Sequence, residues 1–261
     1  MRSPSTAVVA VPAKTKDVLA VLLRGSDRLL APAWHPVQDA FSGWDYAGSL
    51  RHQLRRLLAR GWVERRVEGG RLAYRLSAAG RLAALGGVDP GAQWHRHWDG
   101  YWRVVLFDVA GRRAATRARL LRWLRAERFG CLQDSVWVRP DPVGEAIQPS
   151  LGLAGDADRF VLLEARCCPG YTNLDLVRAS WDFAGVNQRY RAYLTFCERE
   201  RPRVRRGAVG DPDQLVWLRR ERTAWAEASA GDPFLPQALL PAGYLGQQAW
   251  HARRTLFGTN G

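Results

Sequence analysis

The stretch SLRHQLRRLLARGWVERRVEGGRLAYRLSAAGR, Ser49 to Arg81, decides the reading of this chain. Nine arginines (Arg51, Arg55, Arg56, Arg60, Arg65, Arg66, Arg71, Arg75 and Arg81) face only Glu64 and Glu68, so these 33 residues carry +7, half of the net +14 of the whole chain. Leu50, Leu54, Leu57 and Leu58 recur at the spacing of one apolar stripe and predict a helix. A turn of about 100° per residue puts His52, Arg55 and Arg56 opposite that stripe. Ser49 lies beside them at the N-terminal end, and Arg51 and Arg60 lie on the flanks. Gly61 is a residue of the type that ends helices. Two β-prone runs follow, Trp62 to Val67 and Arg71 to Leu76, around Glu68-Gly69-Gly70, and predict a hairpin.

A cationic helix joined directly to a cationic hairpin is the winged-helix arrangement, which fits double-stranded DNA. The helix enters the major groove, where guanidinium groups pair with guanine edges, and the wing lies along phosphates or a minor groove. The expected DNA-contacting residues are Ser49, Arg51, His52, Arg55, Arg56, Arg60, Arg66 and Arg71. Ser49 stands near the helix start, where backbone N–H groups and the positive helix end suit a phosphate. The competing reading is a solvated arginine-rich surface without a ligand. Confinement of the charge to a shape that can use it favours DNA.

Outward from this stretch, the 261 residues are 47% hydrophobic and 25% charged, the make-up of a folded chain. Lys14 and Lys16 are the only lysines, so the basic character is almost wholly arginine, a bias for which a GC-rich genome is the competing explanation to an anionic partner. The apolar run Ala7 to Pro12 is too short for a secretory leader, and no stretch approaches a membrane span, so a cytoplasmic location is expected. Cys131, Cys167, Cys168 and Cys197 form no C-x-x-C pair, which points to free thiols and to no structural zinc. No catalytic constellation, cofactor motif or metal-ligand cluster is recognised, and an enzyme is not expected.

Changes of pattern divide the chain into 1–88, 89–172 and 173–261. The first segment reads as three helices, the hairpin and a closing helix bounded by Gly86-Gly87. In the second, Val104 to Val109 reads as a buried strand, Ala114 to Arg128 as a helix, Phe129 to Val138 as a second strand and Asp156 to Cys168 as a further one. That β-α-β-β order fits a ferredoxin-like α+β domain. The arginines of its helix (Arg112, Arg113, Arg117, Arg119, Arg122, Arg125 and Arg128) have two readings, phosphate contact or plain solvation. The third segment reads as a helix or broken helix pair over Leu174 to Phe196. Its remainder is helical again, interrupted by an Arg-Pro-rich linker at Glu200 to Pro212 and a Pro-rich stretch at Asp232 to Pro241. The expected class is α+β: a winged helix, a ferredoxin-like centre and a helical C-terminal domain.

These residues also carry a family resemblance. Ser49 to Val63 followed by Gly70 to Gly80 resembles the recognition helix and wing of PaaX-type regulators, repressors of phenylacetic-acid catabolism and related pathways. Trp98-Asp99-Gly100 with Trp102, and Gly130 through Val138, resemble the middle domain of that family. The Trp181-Asp182 helix, the Tyr190-Arg191-Ala192-Tyr193-Leu194 continuation and the loop Asp232 to Pro241 resemble its C-terminal domain. The chain departs from the pattern at residues 24–48, at Thr223 to Gly231, and at Ala242 to Gly246, which stand where the family has a Trp-Pro-Gly type of turn. The resemblance implies a homodimeric repressor on a pseudo-palindromic operator, released by an acyl-CoA thioester whose pocket no residue identifies. The family's middle domain is also similar to the small CRISPR adaptation nuclease, in which an Asp at the end of the first strand binds a metal. Asp108 occupies that position, and the alternative reading is therefore a metal-dependent nuclease. Against it, phosphodiester hydrolysis normally needs several oxygen ligands, and a strand-end turn residue accounts for a lone Asp.

Overall fold

The computed structural model describes residues 13–24, 35–36, 47–108, 114–143, 159–206 and 212–257. The apolar run Ala7 to Pro12 lies outside them, and of the three helices expected before the hairpin the described residues contain two, Ala13–Arg24 and Ala47–Ala59. In chain order the described elements are α1 (Ala13–Arg24), β1 (His35–Pro36), α2 (Ala47–Ala59), β2 (Val63–Glu68), β3 (Arg71–Leu76), α3 (Ala78–Ala84), α4 (Pro90–Trp94), β4 (Trp102–Asp108), α5 (Ala114–Ala126), β5 (Gly130–Gln133), β6 (Val136–Arg139), β7 (Arg159–Ala165), α6 (Asn173–Ser180), α7 (Phe183–Arg206), α8 (Pro212–Ala228), a short 3-10 turn (Gln237–Leu239) and α9 (Gly246–Phe257). The class is α+β with antiparallel sheets. No helix among the described residues is long and apolar enough to cross a membrane.

The chain divides into two compact units, one of which holds 90–187 and 231–244. Its sheet runs β5-β6-β4-β7 with every neighbouring pair antiparallel. Strand side chains alternate between faces, so β4 feeds two cores. Val105 and Phe107 meet Leu120 and Leu124 of α5 with Phe129 and Trp137. Trp102 packs with Val138, with Leu176 and Val177 of α6, and with Leu235 and Leu239. The single strand expected over Phe129 to Val138 is two strands, β5 and β6, turned at Asp134-Ser135 with a register shift between Cys131 and Gln133. A two-residue turn without glycine leaves little trace in hydrophobic pattern, which is why the run reads as continuous.

The tryptophan motif fastens this sheet. Asp99 accepts from Arg103 Nη1 and Nη2 at 2.8 and 2.6 Å and from the Tyr101 amide at 3.0 Å. The hydrogen bonds from Arg103 hold the Asp99 carboxyl down at about 2. Trp102 donates its indole N–H to Asn173 Oδ1 at 2.9 Å, which binds β4 to the start of α6. Gly130 is required where it stands: a β-carbon there would lie 2.5 Å from the Trp181 ring and 2.7 Å from Ser180 Cβ. The 232–241 loop is held by Asp232, which accepts from the Phe234 amide at 2.8 Å and from the Tyr244 hydroxyl at 2.5 Å.

The second unit holds the described residues of 6–89, 188–230 and 245–261. Its α1 carries six consecutive buried apolar residues, Val18 to Leu23. A helix apolar all round has neighbours all round, and α1 packs against α2, β3, α3 and α8. Strands order as β1-β3-β2. The expected helix-then-hairpin is present, with β2 and β3 paired from Val63↔Leu76 to Glu68↔Arg71. Gly69 and Gly70 close the two-residue turn at φ 56 and 76, left-handed values that favour glycine at both places.

Farther along this unit, α7 runs on through Pro202 to Arg206, so the linker expected from Glu200 begins later than the sequence implies. Glu and Arg are good helix formers, and many preceding residues anchor the helix against the cost of one proline. Helices α7, α8 and α9 enclose an ion pair: Arg253 Nε donates to Glu221 Oε1 at 2.7 Å, and Tyr193 donates its hydroxyl to the same oxygen at 2.7 Å. Arg253 and Glu221 are almost wholly buried, and the guanidinium lies over the Trp225, Trp250 and Phe257 rings. Burial, with the Glu221 charge, pushes the Tyr193 phenol well above its ordinary value.

Candidate nucleic-acid interface

Alternation of burial along α2 separates a packing side from a free side. Leu50, Leu54 and Leu57 are buried, whereas Arg51, His52 and Arg55 are exposed and Arg56 is half-buried. Arg55 lies one turn beyond both Arg51 and His52, so the three side chains neighbour one another on one face. No carboxylate lies on this helix. Ser49 sits in its first turn, as its third residue. Gln53 is turned inward and accepts the Thr15 hydroxyl of α1 at 2.8 Å.

The helix ends in a Schellman motif. The Trp62 amide donates to Leu57 O and the Gly61 amide to Leu58 O, both at 2.9 Å, with Gly61 at φ 65. Arg60 is therefore the capping residue, exposed, with its guanidinium 5.3 Å from the Trp62 ring centroid. Its expected place on the helix flank becomes a place at the helix-to-hairpin joint.

On the hairpin, Arg65, Arg66 and Arg71 are exposed. Two other arginines of the charge count are engaged: Arg75 with Glu64 at 2.6 Å and Arg81 with Asp89 at 3.0 Å. The cross-strand pair Val67↔Leu72 stands near the hairpin tip, at 69% and 46% exposure. Charge counting along the sequence does not reveal these two large apolar side chains offered to solvent side by side. Arg117, Arg119, Arg122 and Arg125 of α5 are also exposed, whereas Arg112 and Arg113 lie outside the described residues.

The hairpin base is locked to α3 by Ser77 and Gly80. Ser77 caps α3 by accepting from the Gly80 amide at 3.1 Å, donates its hydroxyl to Gly61 O at 2.6 Å, and donates its amide to Trp62 O at 3.0 Å. At Gly80 a β-carbon would lie 1.8 Å from Trp62 O, so only glycine allows the approach. The run Leu76-Ser77-Ala78-Ala79-Gly80 thus aims the hairpin relative to the end of α2.

Asp108 is exposed at the end of β4, opposite Arg159 in the register with β7. Among the described residues no three His, Cys, Asp or Glu side chains come together as a metal site. The nuclease reading gains no support from this geometry.

Residues 95–177, the sheet of the first unit with the tryptophan motif and the first part of α6, match the family described as the PaaX protein central Cas2-like domain. The chain is also 27% identical over 210 residues to the transcriptional repressor PaaX of Escherichia coli (strain K12), covering 77% of this chain. These matches support the PaaX-type family. The chain spans 65% of the length of that curated relative. A solved structure, the uncharacterized protein Rv0674 from Mycobacterium tuberculosis, superposes with a TM-score of 0.53 at 27% identity, covering 92% of this chain and 93% of that one. The Trp98-Asp99-Gly100 and Gly130 residues that carry the resemblance in sequence are those that brace β4 and β5 in the structure.

Proposed function

We propose that this chain is a PaaX-type DNA-binding transcriptional repressor in which 1–88 is a winged-helix domain. In this reading α2 is the recognition helix, and β2 and β3 form the wing. The observation that carries it is the face of α2: Arg51, His52 and Arg55 stand exposed, with no carboxylate on the helix. Exposed Arg65, Arg66 and Arg71 continue the positive charge onto the hairpin. Phosphate pairing would supply affinity and salt dependence, and Arg55 with its neighbours would supply base choice.

The strand order of the first unit supports reading 89–172 as ferredoxin-like, with 173–261 as the helical C-terminal segment. A homodimer on a pseudo-palindromic site follows from the family's mode of action, as does release by an acyl-CoA thioester such as phenylacetyl-CoA. Ligand release requires a conformation that binds the ligand better and fits the operator worse.

The test is selection of bound genomic fragments by the full chain, followed by gel shift with the Arg55→Ala/Arg56→Ala variant. Loss of discrimination between selected and random fragments, with the circular dichroism spectrum unchanged, is expected. The log–log salt slope should fall by about 0.9 for each phosphate no longer neutralised. Undiminished discrimination refutes the assignment of α2. Addition of phenylacetyl-CoA tests the effector separately.

A further inference from the structure

Two polar side chains on α1 point in opposite directions, and each is buried. Thr15 and Asp17 are about 200° apart around the helix, at 2% and 3% exposure. Thr15 donates to Gln53 of α2 at 2.8 Å. Asp17 accepts from α8: Arg219 Nη2 and Nε reach Oδ2 at 2.8 and 3.1 Å, and Arg222 Nη1 reaches Oδ1 at 3.1 Å. Both oxygens of one carboxylate are thus taken by two guanidiniums one turn apart on α8. Between Thr15 and the far end of the helix, Val18 to Leu23 are buried without a break, so α1 has no free side into which it can slide.

We infer that α1 is a tie between the C-terminal helix α8 and α2, in which Asp17 and Thr15 are positioning residues that set where α2 stands. Close-packed interiors transmit displacement instead of absorbing it. Charge-assisted hydrogen bonds fix direction at the α8 end, and a single buried hydroxyl–amide bond fixes it at the α2 end. Whatever shifts α8 therefore shifts α2 through α1. The consequence for DNA rests on the proposed role of α2; the mechanical link does not. A ligand or partner that moves α8 would act on operator fit through Asp17 without touching the helix that reads it, which gives a physical route for release.

The experiment is amide hydrogen exchange on the full chain, comparing Arg219→Ala/Arg222→Ala, Thr15→Val, Thr15→Ser and, as a control, Leu256→Ala, whose buried side chain lies on α9. Each is referred to its own global stability from denaturant unfolding. Exchange of α2 amides should rise roughly tenfold or more beyond the global change in the double variant, the scale of a lost hydrogen bond to a charged group. Thr15→Val should raise α2 exchange while leaving α8 unaltered, Thr15→Ser should restore it, and Leu256→Ala should show the global change alone. Equal behaviour of α2 in the double variant and the control overturns the tie, as does Thr15→Val leaving α2 unchanged. A gel shift on selected fragments reads the other half: affinity should fall roughly five- to a hundredfold with the tie broken. Faster α2 exchange with unchanged DNA affinity supports the tie and overturns α2 as the DNA reader.

Discussion

Replacing Gly80 with alanine tests how the hairpin is aimed. The new β-carbon would lie 1.8 Å from Trp62 O and 2.7 Å from Trp62 C, where anything under 3.0 Å forces a shift. Both atoms are backbone, so no rotamer change relieves the overlap, and α3 must move away from the hairpin base. Overpacking of this kind costs about 1–3 kcal/mol. The movement stretches the bonds that Ser77 makes to Trp62 O and Gly61 O, at 3.0 and 2.6 Å, which adds about 1 kcal/mol for each bond broken. Alanine returns about 1 kcal/mol of helix propensity. The net is a loss of about 2–4 kcal/mol, a large part of the roughly 5 to 15 kcal/mol typical of a whole domain. Guanidinium chloride unfolding followed by circular dichroism measures it, with Gly70→Ala as the companion. At Gly70 the space is open and only a φ of 76 opposes a side chain, worth about 1–2 kcal/mol. If Gly80→Ala costs no more than Gly70→Ala, the close approach to Trp62 is not what holds the hairpin base.

Three further outcomes are expected. Arg253→Leu should destabilise by about 3–5 kcal/mol because Glu221 is left charged and buried, whereas Arg253→Leu/Glu221→Leu should recover most of the loss, as thermal or denaturant unfolding will show. For Asp99, the carboxyl lies at about 2 in the folded chain against an ordinary 3.8. Its contribution is therefore complete above the ordinary value and disappears as pH falls through about 2. Unfolding midpoints of the native chain and of Asp99→Asn should accordingly differ at about pH 6 and converge toward about pH 2. Burial pushes the Cys197 thiol up to about 12, so iodoacetamide at about pH 8 should label exposed Cys131 and Cys168 in the native chain and reach Cys197 only on unfolding, read by mass spectrometry.

Where a feature of this fold is local in the chain, the sequence pattern reveals it. The leucine stripe of α2, the glycine that ends it and the Gly69-Gly70 turn each depend on neighbours within a few residues, and the structure has them where periodicity and turn chemistry put them. Asp134-Ser135 illustrates the limit, because a tight turn of ordinary polar residues between Cys131 and Trp137 breaks no hydrophobic run. Pro202 illustrates the converse: a breaker that the anchored length of α7 overrides. Among the arginines, composition counts charge but not partners. Arg75 and Arg81 belong to Glu64 and Asp89, and Arg60 belongs to a helix cap, none of which is fixed by spacing along α2.

The residues that hold the candidate interface in place are the least legible in sequence, and the reason is physical. Thr15 and Gln53 are 38 positions apart, and Asp17 and Arg219 are 202 apart. A polar residue that bonds across such distances looks in sequence like any surface residue. Gln53 does carry one signal: between Leu50 and Leu54 it stands on the packing side of α2, where an unbonded amide would be costly, so a buried partner had to exist. The same logic extends to α1, whose six consecutive buried apolar residues leave its two buried polar side chains, Thr15 and Asp17, nowhere to go but into other helices. An exposed cationic face serves recognition only if the helix behind it is held, since a guanidinium displaced by an ångström no longer meets the same base edge. If α2 reads DNA as proposed, the holding and the reading fall on different residues of α2, Gln53 and Arg55, two positions apart. A substitution at either would impair DNA binding, but only the first would also change how α2 exchanges its amide protons in the absence of DNA.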